Sequence, residues 1–347
     1  MRFYTNQHQY YGGIDLHAKT MYICIIDQNG DILVHKNIPT NPDLFLKTIL
    51  PYMEDIVVAV ECVFTWYWIA DFCNHYHIPF VLGHALYMKA IHGAKTKNDK
   101  IDSHKMAALL RAGLIPMAYV YPAEMRSTRD LLRRRMYAMY RRAELLAHIQ
   151  NTKHQYNLPD FQKKIAYKKN RVGIEGCFQD PSVKKNIHVD LTLLDKYDNV
   201  LNELELFILN NAKEHKSNNL YLLRTIPGVG KILSLVFLYE IHDINRFPKV
   251  QNFSSYARLI RPKKESAGKI TGSANRKMGN AYLKWAFSEA TILLIRESEP
   301  VKKYHQQLTN KHGKKKALAI LTHRLGRTVY FMLKKQQAFD MNKFLNQ

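Results

Sequence analysis

The sequence has no run of roughly 18 uncharged apolar residues, so no transmembrane helix is expected. Its first ten residues, MRFYTNQHQY, lack the apolar centre of a secretory signal. Cysteine is scarce. Cys24, Cys62, Cys73 and Cys177 are scattered without a Cys-x-x-Cys pair, which argues against a zinc knuckle or a disulfide framework and fits a reducing cytoplasm. Internal repeats are absent. With 46% hydrophobic residues the chain is no disordered or low-complexity sequence. Acidic residues are also in short supply: 29 against 52 lysines and arginines, a net charge of +23. Such a charge repels itself unless a polyanion is at hand. Nucleic acid is therefore the first partner to consider and an anionic membrane the second.

The 347 residues allow two or three domains at about 100–200 residues each. Residues 1–115 carry ten basic and ten acidic residues, so the whole excess lies in 116–347. The neutral part reads as strands over Tyr10–Ile14, Met21–Asp27 and Ile32–Ile38, with a turn at Gln28-Asn29-Gly30-Asp31. A helix over Asp43–Met53, a Val-rich strand Ile56–Glu61, a helix Trp66–Tyr76, a strand Pro79–Gly83 and a helix Lys100–Ala112 follow. That order predicts a mixed α/β domain. Beyond it, Arg126–Asn151 and Val189–Ala212 are long helical patterns with near-heptad apolar seams, joined by a Lys-rich connection, as in an antiparallel coiled-coil pair. The seam leaves Arg133, Arg134, Arg135, Arg141 and Arg142 on the outside, either as a solvated face or as phosphate contacts. An apolar helix from Ile232, a helix within 247–262, a Gly-, Lys- and Ser-rich loop Arg261–Asn280, and helices Ala281–Glu297 and Lys315–Lys335 complete the reading. The basic segment Lys311–Lys316 adds further candidate phosphate contacts.

Four carboxylates draw attention. Asp15 ends a strand before a hairpin, Glu61 ends the Val-rich strand, and Asp99 and Asp102 open a helix three residues apart, on one side of its first turn. Converging carboxylates repel one another and bind hard divalent ions. Two Mg2+ in such a cluster activate the attacking oxygen and stabilise the leaving one in phosphoryl transfer. Each residue also has an ordinary reading: a strand-end turn for Asp15, a lysine partner for Glu61, a helix N-cap for Asp99 and a first-turn acid for Asp102. Taken together, the order points to a ribonuclease-H-like nuclease. His17 and His104 lie close by, as ligands or behind the ligands, packing or solvent exposure being the ordinary role of each.

In these residues the chain resembles the DEDD transposases of insertion sequences, a group of bridge-RNA-guided serine recombinases. Gly13-Ile14-Asp15, the Val-x-Val-Glu ending at Glu61, and Lys97-Asn98-Asp99-Lys100-Ile101-Asp102 are similar to that family's RuvC-like domain. The resemblance places its four acids on Asp15, Glu61, Asp99 and Asp102. Thr65 is kept after the Glu, but the glycine that usually follows it is missing. Ile226-Pro227-Gly228-Val229-Gly230, Ser266-Ala267-Gly268-Lys269 and Lys277-Met278-Gly279-Asn280 resemble the family's transposase domain in order and spacing.

There the resemblance implies a serine that attacks DNA and becomes joined to a 5′ phosphate. The matching residue is Ser266, with Ser273 and Ser255 as the nearest alternatives. Ala267 replaces the first glycine of the usual Ser-Gly-Gly-Lys. Lys263, Lys264, Lys269, Arg276 and Lys277 surround this serine in sequence and offset phosphate charge, and a permissive Gly-rich backbone lets a phosphate approach. Without a base or a metal the serine is a weak nucleophile, and its ordinary reading is a solvated basic loop. The Pro-Gly-Val-Gly segment reads as a helix-hairpin-helix turn in which Gly228, Gly230 and Lys231 meet a phosphate, or equally as a tight turn between packed helices.

The expected architecture is thus a RuvC-like, ribonuclease-H-like α/β domain over 1–120, a coiled-coil basic linker over 121–215, and a mostly α transposase domain over 216–347. The expected activity is that of a Mg2+-dependent DNA transposase acting through a 5′-phosphoserine. Its expected partners are donor and target DNA, a guide (bridge) RNA and further copies of itself in a homodimer or homotetramer, in the bacterial cytoplasm at the nucleoid. Three readings compete. One is a Holliday-junction-type metal nuclease using water. The others are a site-specific invertase of the same family and a non-enzymatic nucleic-acid-binding scaffold.

Overall fold

Runs of valine and isoleucine set the centre of the first sheet. In the computed structural model, which describes residues 2–91, 98–212, 218–273 and 278–346, strand β4 (Ile56–Glu61) is buried from Ile56 to Val60 and lies between β1 (Tyr10–Leu16) and β5 (Phe80–Gly83). A strand apolar on both faces fits only such a covered, interior place. β2 (Thr20–Asp27) pairs antiparallel with β1, and β3 (Ile32–Pro39) antiparallel with β2. β1, β4 and β5 run parallel, giving the order β3-β2-β1-β4-β5. The edge strand β3 is largely exposed and carries His35 and Lys36, which discourages pairing with another edge. The β2–β3 turn is held by Asp27, whose side chain accepts the N–H groups of Asn29, Gly30 and Asp31. The mixed α/β sheet agrees with the expected ribonuclease-H-like class.

Helices cover both faces. α1 (Pro42–Ile49) starts at Asn41, whose side chain accepts two backbone N–H groups, and ends before Pro51, so the helix expected over Asp43–Met53 is shorter. With α2 (Trp66–His75) it lies against Ile14, Leu16, Ile23, Val58 and Val60. A short helix α3 (Ala85–Ile91), not foreseen in the sequence, follows β5. α4 (Asp99–Arg111) covers the opposite face with Met106, Ala107 and Leu110, against Tyr11, Val57, Ala59 and Val81. Contacts divide the chain into units of residues 1–123 and 124–347.

The second unit is almost wholly helical. α5 (Ala123–Gln155) and α6 (Pro181–Asn211) are its longest helices. α6 begins eight residues before the expected Val189, because Asp180 caps it and Pro181 occupies its first position. The connection between them closes a small core of Ile149, Ile165, Ile174, Phe178, Ile187 and Leu194. α7 (Asn218–Arg224), α8 (Lys231–Ile241) and α9 (Val250–Tyr256) lead to a β-hairpin, β6 (Lys263–Ser266) and β7 (Lys269–Ser273). This hairpin corrects the expected loop over Arg261–Asn280. The segment after Glu297 is also helical, so α10 (Ala281–Glu297), α11 (Glu299–His312) and α12 (Lys314–Lys335) follow almost without a break, before α13 (Met341–Leu345). Phe237, Phe253 and Phe287 meet in tilted and edge-to-face contacts within a core that also takes in Met125 and Leu132 of α5 and Ile208 of α6.

Candidate active site

In β1, side chains alternate between the two faces, so Tyr11, Gly13 and Asp15 share the α4 side. Gly13 is where the helix comes closest. A Cβ there would stand 2.2 Å from the Ala107 nitrogen and 2.3 Å from the Ser103 carbonyl oxygen. Only glycine permits that approach. On α4, Asp99, Ser103 and Ala107 are four residues apart and form one stripe. Seating Ser103 and Ala107 on Gly13 therefore aims the first turn of α4 toward Asp15. The Asn98 side chain, not Asp99, caps the helix by accepting the Ile101 N–H at 2.8 Å, which leaves the Asp99 carboxylate for other work. The start of α4 is also fixed from β3, where His35 Nε2 meets the Lys100 carbonyl at 2.9 Å.

The result is a cluster in which donor atoms of Asp15, His17 and Asp99 all lie within 4.8 Å of one another. His17 Nε2 is 3.6 Å from Asp15 Oδ2 and 3.4 Å from Asp99 Oδ2. Asp15 is half-buried, whereas Asp99 and His17 are exposed. Both carboxylates also sit near the positive end of the α4 dipole. Glu61 follows Val60, the register partner of Ile14, so it stands beside Asp15 on the next strand and on the same face. Asp102 lies in the first turn of α4 with its N–H on the Asn98 carbonyl. Neither Glu61 nor Asp102 belongs to the close cluster. Thr65 donates to the Leu16 carbonyl at 3.3 Å and so ties the start of α2 to the end of β1. The His104 ring lies 6.0 Å from the His35 ring.

In the second unit, Ser266 is exposed at the tip of the hairpin and pairs in register with Lys269, also exposed. Ala267 (φ 49°) and Gly268 (φ 73°) form the two-residue turn, with Ala267 in the left-handed region. Lys263 and Lys264 lie on β6 and Ser273 ends β7. Ser255 is exposed on α9. Arg276 and Lys277 fall outside the described residues.

The two stems of the hairpin are clamped together below it. The Asn280 N–H donates to the Tyr256 carbonyl, and Arg258 Nε to the Met278 carbonyl at 2.8 Å. Asn280 caps α10 and also donates from Nδ2 to Glu240 at 2.7 Å. Glu240 is 1% exposed and accepts from Arg129 at 3.1 Å and from Arg133 at 2.6 and 2.9 Å. Burial pushes its carboxyl up, yet Arg133, Arg129 and Asn280 outweigh this and hold it below its ordinary value. This group does not stand out in the sequence. Its signal is a lone glutamate within the apolar run Leu235–Ile241, a charge that must find partners once buried.

The five candidate arginines of α5 are not all outside, as the heptad reading expected. Arg134 and Arg141 are exposed, flanking the Tyr137 ring at 5.5 and 5.1 Å. Arg133 turns to Glu240, Arg135 to Glu205 at 2.6 Å, and Arg142 to Asp198 at 2.5 Å. Carboxylates on α6 and α8 draw these three inward. At the Pro-Gly-Val-Gly turn, Gly228 (φ 80°) lies so close to α10 that a Cβ would meet that of Leu293 at 2.8 Å, whereas Gly230 and Lys231 are exposed at the start of α8.

Comparison with known proteins finds matches in both units. A family model for DEDD transposases of the IS110 group, described as "Transposase", matches residues 12–157, from β1 to just past the end of α5. A second, described as "Transposase IS116/IS110/IS902 family", matches residues 220–306, from α7 into α11. The chain is 19% identical over 334 residues to the "Transposase for insertion sequence element IS1111A" of Coxiella burnetii (strain RSA 493 / Nine Mile phase I), covering 94% of this chain and 90% of that protein.

Proposed function

Because the chain belongs to the IS110-type DEDD transposases, enzymes that cleave and rejoin DNA, we propose that it does so through Ser266, with Asp15, Glu61, Asp99 and Asp102 as metal-binding carboxylates. The observation that carries the reading is the convergence of Asp15 and Asp99, with His17, where β1 ends and α4 begins. The donor set is oxygen-rich and partly exposed, which fits a hard divalent ion such as Mg2+. Such an ion, when bound, offsets charge on the reacting phosphate.

The Ser266 Oγ attacks phosphorus and loses its proton. The bond to the 3′ oxygen breaks, that oxygen gains a proton, and the 5′ phosphate stays on serine. A 3′ hydroxyl of the exchanged strand then attacks the phosphoserine, which restores the serine hydroxyl and reseals the backbone. Lys269, next to Ser266 in the hairpin register, offsets phosphate charge. Lys263, Lys264, Arg276 and Lys277 are proposed for the same task.

Donor and target DNA are the substrates, and a guide RNA sets the choice of sequence. Arg134 and Arg141, with the exposed Tyr137 between them, suit backbone and base contacts. Gly230 and Lys231 at the α8 N-terminus suit a phosphate in a helix-hairpin-helix manner. α5 and α6 act as the coiled-coil part of a homodimer or homotetramer.

The test incubates protein, co-purifying RNA and Mg2+ with DNA carrying the element junction, then looks for a covalent protein–DNA adduct on a denaturing gel. An adduct lost in both Ser266→Ala and Asp15→Asn is expected. Cleavage without an adduct, unaffected by Ser266→Ala, favours a water-using nuclease instead.

A further inference from the structure

Resting on the reading of Asp15 and Asp99 as metal ligands, we infer that His17 is a third protein ligand of the same ion, so that the site is a mixed oxygen and nitrogen set. His17 follows the last residue of β1 and stands two positions after Asp15, on the α4 side of the sheet. Its backbone is held from both directions. The N–H donates to the Thr20 carbonyl at 3.0 Å, and the carbonyl accepts Thr40 Oγ1 at 3.0 Å. The side chain therefore leaves a fixed point, and Nε2 lies 3.6 Å from one carboxylate and 3.4 Å from the other.

Neighbouring donors around an octahedral ion stand roughly 3 Å apart. The three donor atoms all lie within 4.8 Å of one another, so that spacing needs shifts of no more than about 2 Å. The neighbouring histidine is occupied otherwise, since His35 Nε2 is taken by the Lys100 carbonyl. The alternative is that His17 is only a cation bridging two carboxylates, a role that metal binding would displace. The two roles make opposite predictions.

An imidazole nitrogen suits Mg2+ poorly, because that ion prefers oxygen throughout; Mn2+, the weakest binder of the first-row divalent ions, still accepts nitrogen more readily than Mg2+ does. His17 thus tilts the site toward Mn2+.

The experiment uses the full-length protein without nucleic acid. Mn2+ is titrated and its free form followed by electron paramagnetic resonance. The bound form is then examined by electron spin echo envelope modulation for a directly coordinated 14N. Wild-type protein is expected to bind Mn2+ and to show the imidazole modulation. Labelling with 15N-histidine changes that modulation, a readout that needs no variant. His17→Asn is expected to lose the modulation and to bind Mn2+ about tenfold or more weakly, with a smaller change for competing Mg2+. Bound Mn2+ with no nitrogen modulation, or unchanged affinity in His17→Asn, overturns the inference while the carboxylate site stands. Wild-type binding no stronger than that of Asp15→Asn overturns the metal reading and the inference together.

Discussion

Gly13 decides whether the carboxylates meet. A methyl group at this position would collide with the Ala107 nitrogen and the Ser103 carbonyl of α4, which are backbone atoms and cannot rotate aside. Gly13→Ala is expected to lower stability by about 1–3 kcal/mol, as overpacking does. Because α4 must lift from β1, the variant should also lose Mn2+ affinity. Denaturant unfolding and a metal titration check the two effects, and a variant that binds the ion normally would show that α4 does not aim Asp99. Ala267 is the opposite case, a side chain where glycine suits the backbone. At φ 49° it bears the cost of the left-handed region. Ala267→Gly is expected to stabilise the hairpin turn by about 1 kcal/mol, read as slower amide exchange across β6 and β7, with adduct formation through Ser266 retained. Faster exchange would argue against this turn geometry.

At the scale of elements, legibility followed the strength of the local pattern. β4 could be read to the residue because Ile56-Val57-Val58-Ala59-Val60 allows little else. Asp15, Glu61 and the start of α4 could be placed because strand ends and caps have their own chemistry. The hairpin of Ser266 reads as a loop in sequence, since its glycines, lysines and serines have low strand propensity and its register is set by a two-residue turn. α11 is hard to read because it is mostly polar and charged and fully buries only Val301, so its apolar stripe is thin. The link between α5, α8 and α10 through Glu240 was invisible, because ion pairs more than a hundred residues apart leave no spacing to read. Glu240→Gln leaves the Arg129 and Arg133 charges without their carboxylate and is expected to cost about 3–5 kcal/mol in unfolding experiments. Since the Glu240 carboxyl is held below its ordinary value of 4.5, its contribution is complete above that pH and is lost as pH falls through the lower folded value. The stability gap between wild type and Glu240→Gln should therefore be wide at pH 7 and begin to close only below about pH 4.5. A gap that widens on acidification would contradict the assignment.

For the whole molecule, the net charge of +23 overstates the cations that are ready for DNA. Arg142 is half-buried on α5, where its guanidinium meets Asp198 and the Ala166 carbonyl. Burial pushes the Asp198 carboxyl up, but Arg142 and Arg171 hold it below its usual range, a sign that these cations serve an internal carboxylate. Arg134, eight residues earlier on the same helix, is exposed beside the Tyr137 ring. The two arginines should therefore separate in a binding assay, although sequence alone ranks them alike. Binding of a labelled duplex, followed by anisotropy over a range of salt, reports how many counterions are released. Arg134→Ala is expected to weaken binding at low salt and to reduce the slope of log affinity against log salt by about one. Arg142→Ala is expected to keep the wild-type slope and to lower the unfolding midpoint, because Asp198 loses a partner while no phosphate does. If both variants reduce the slope equally, Arg142 must leave Asp198 for DNA, and the ion pairs of α5 would have to open when nucleic acid binds.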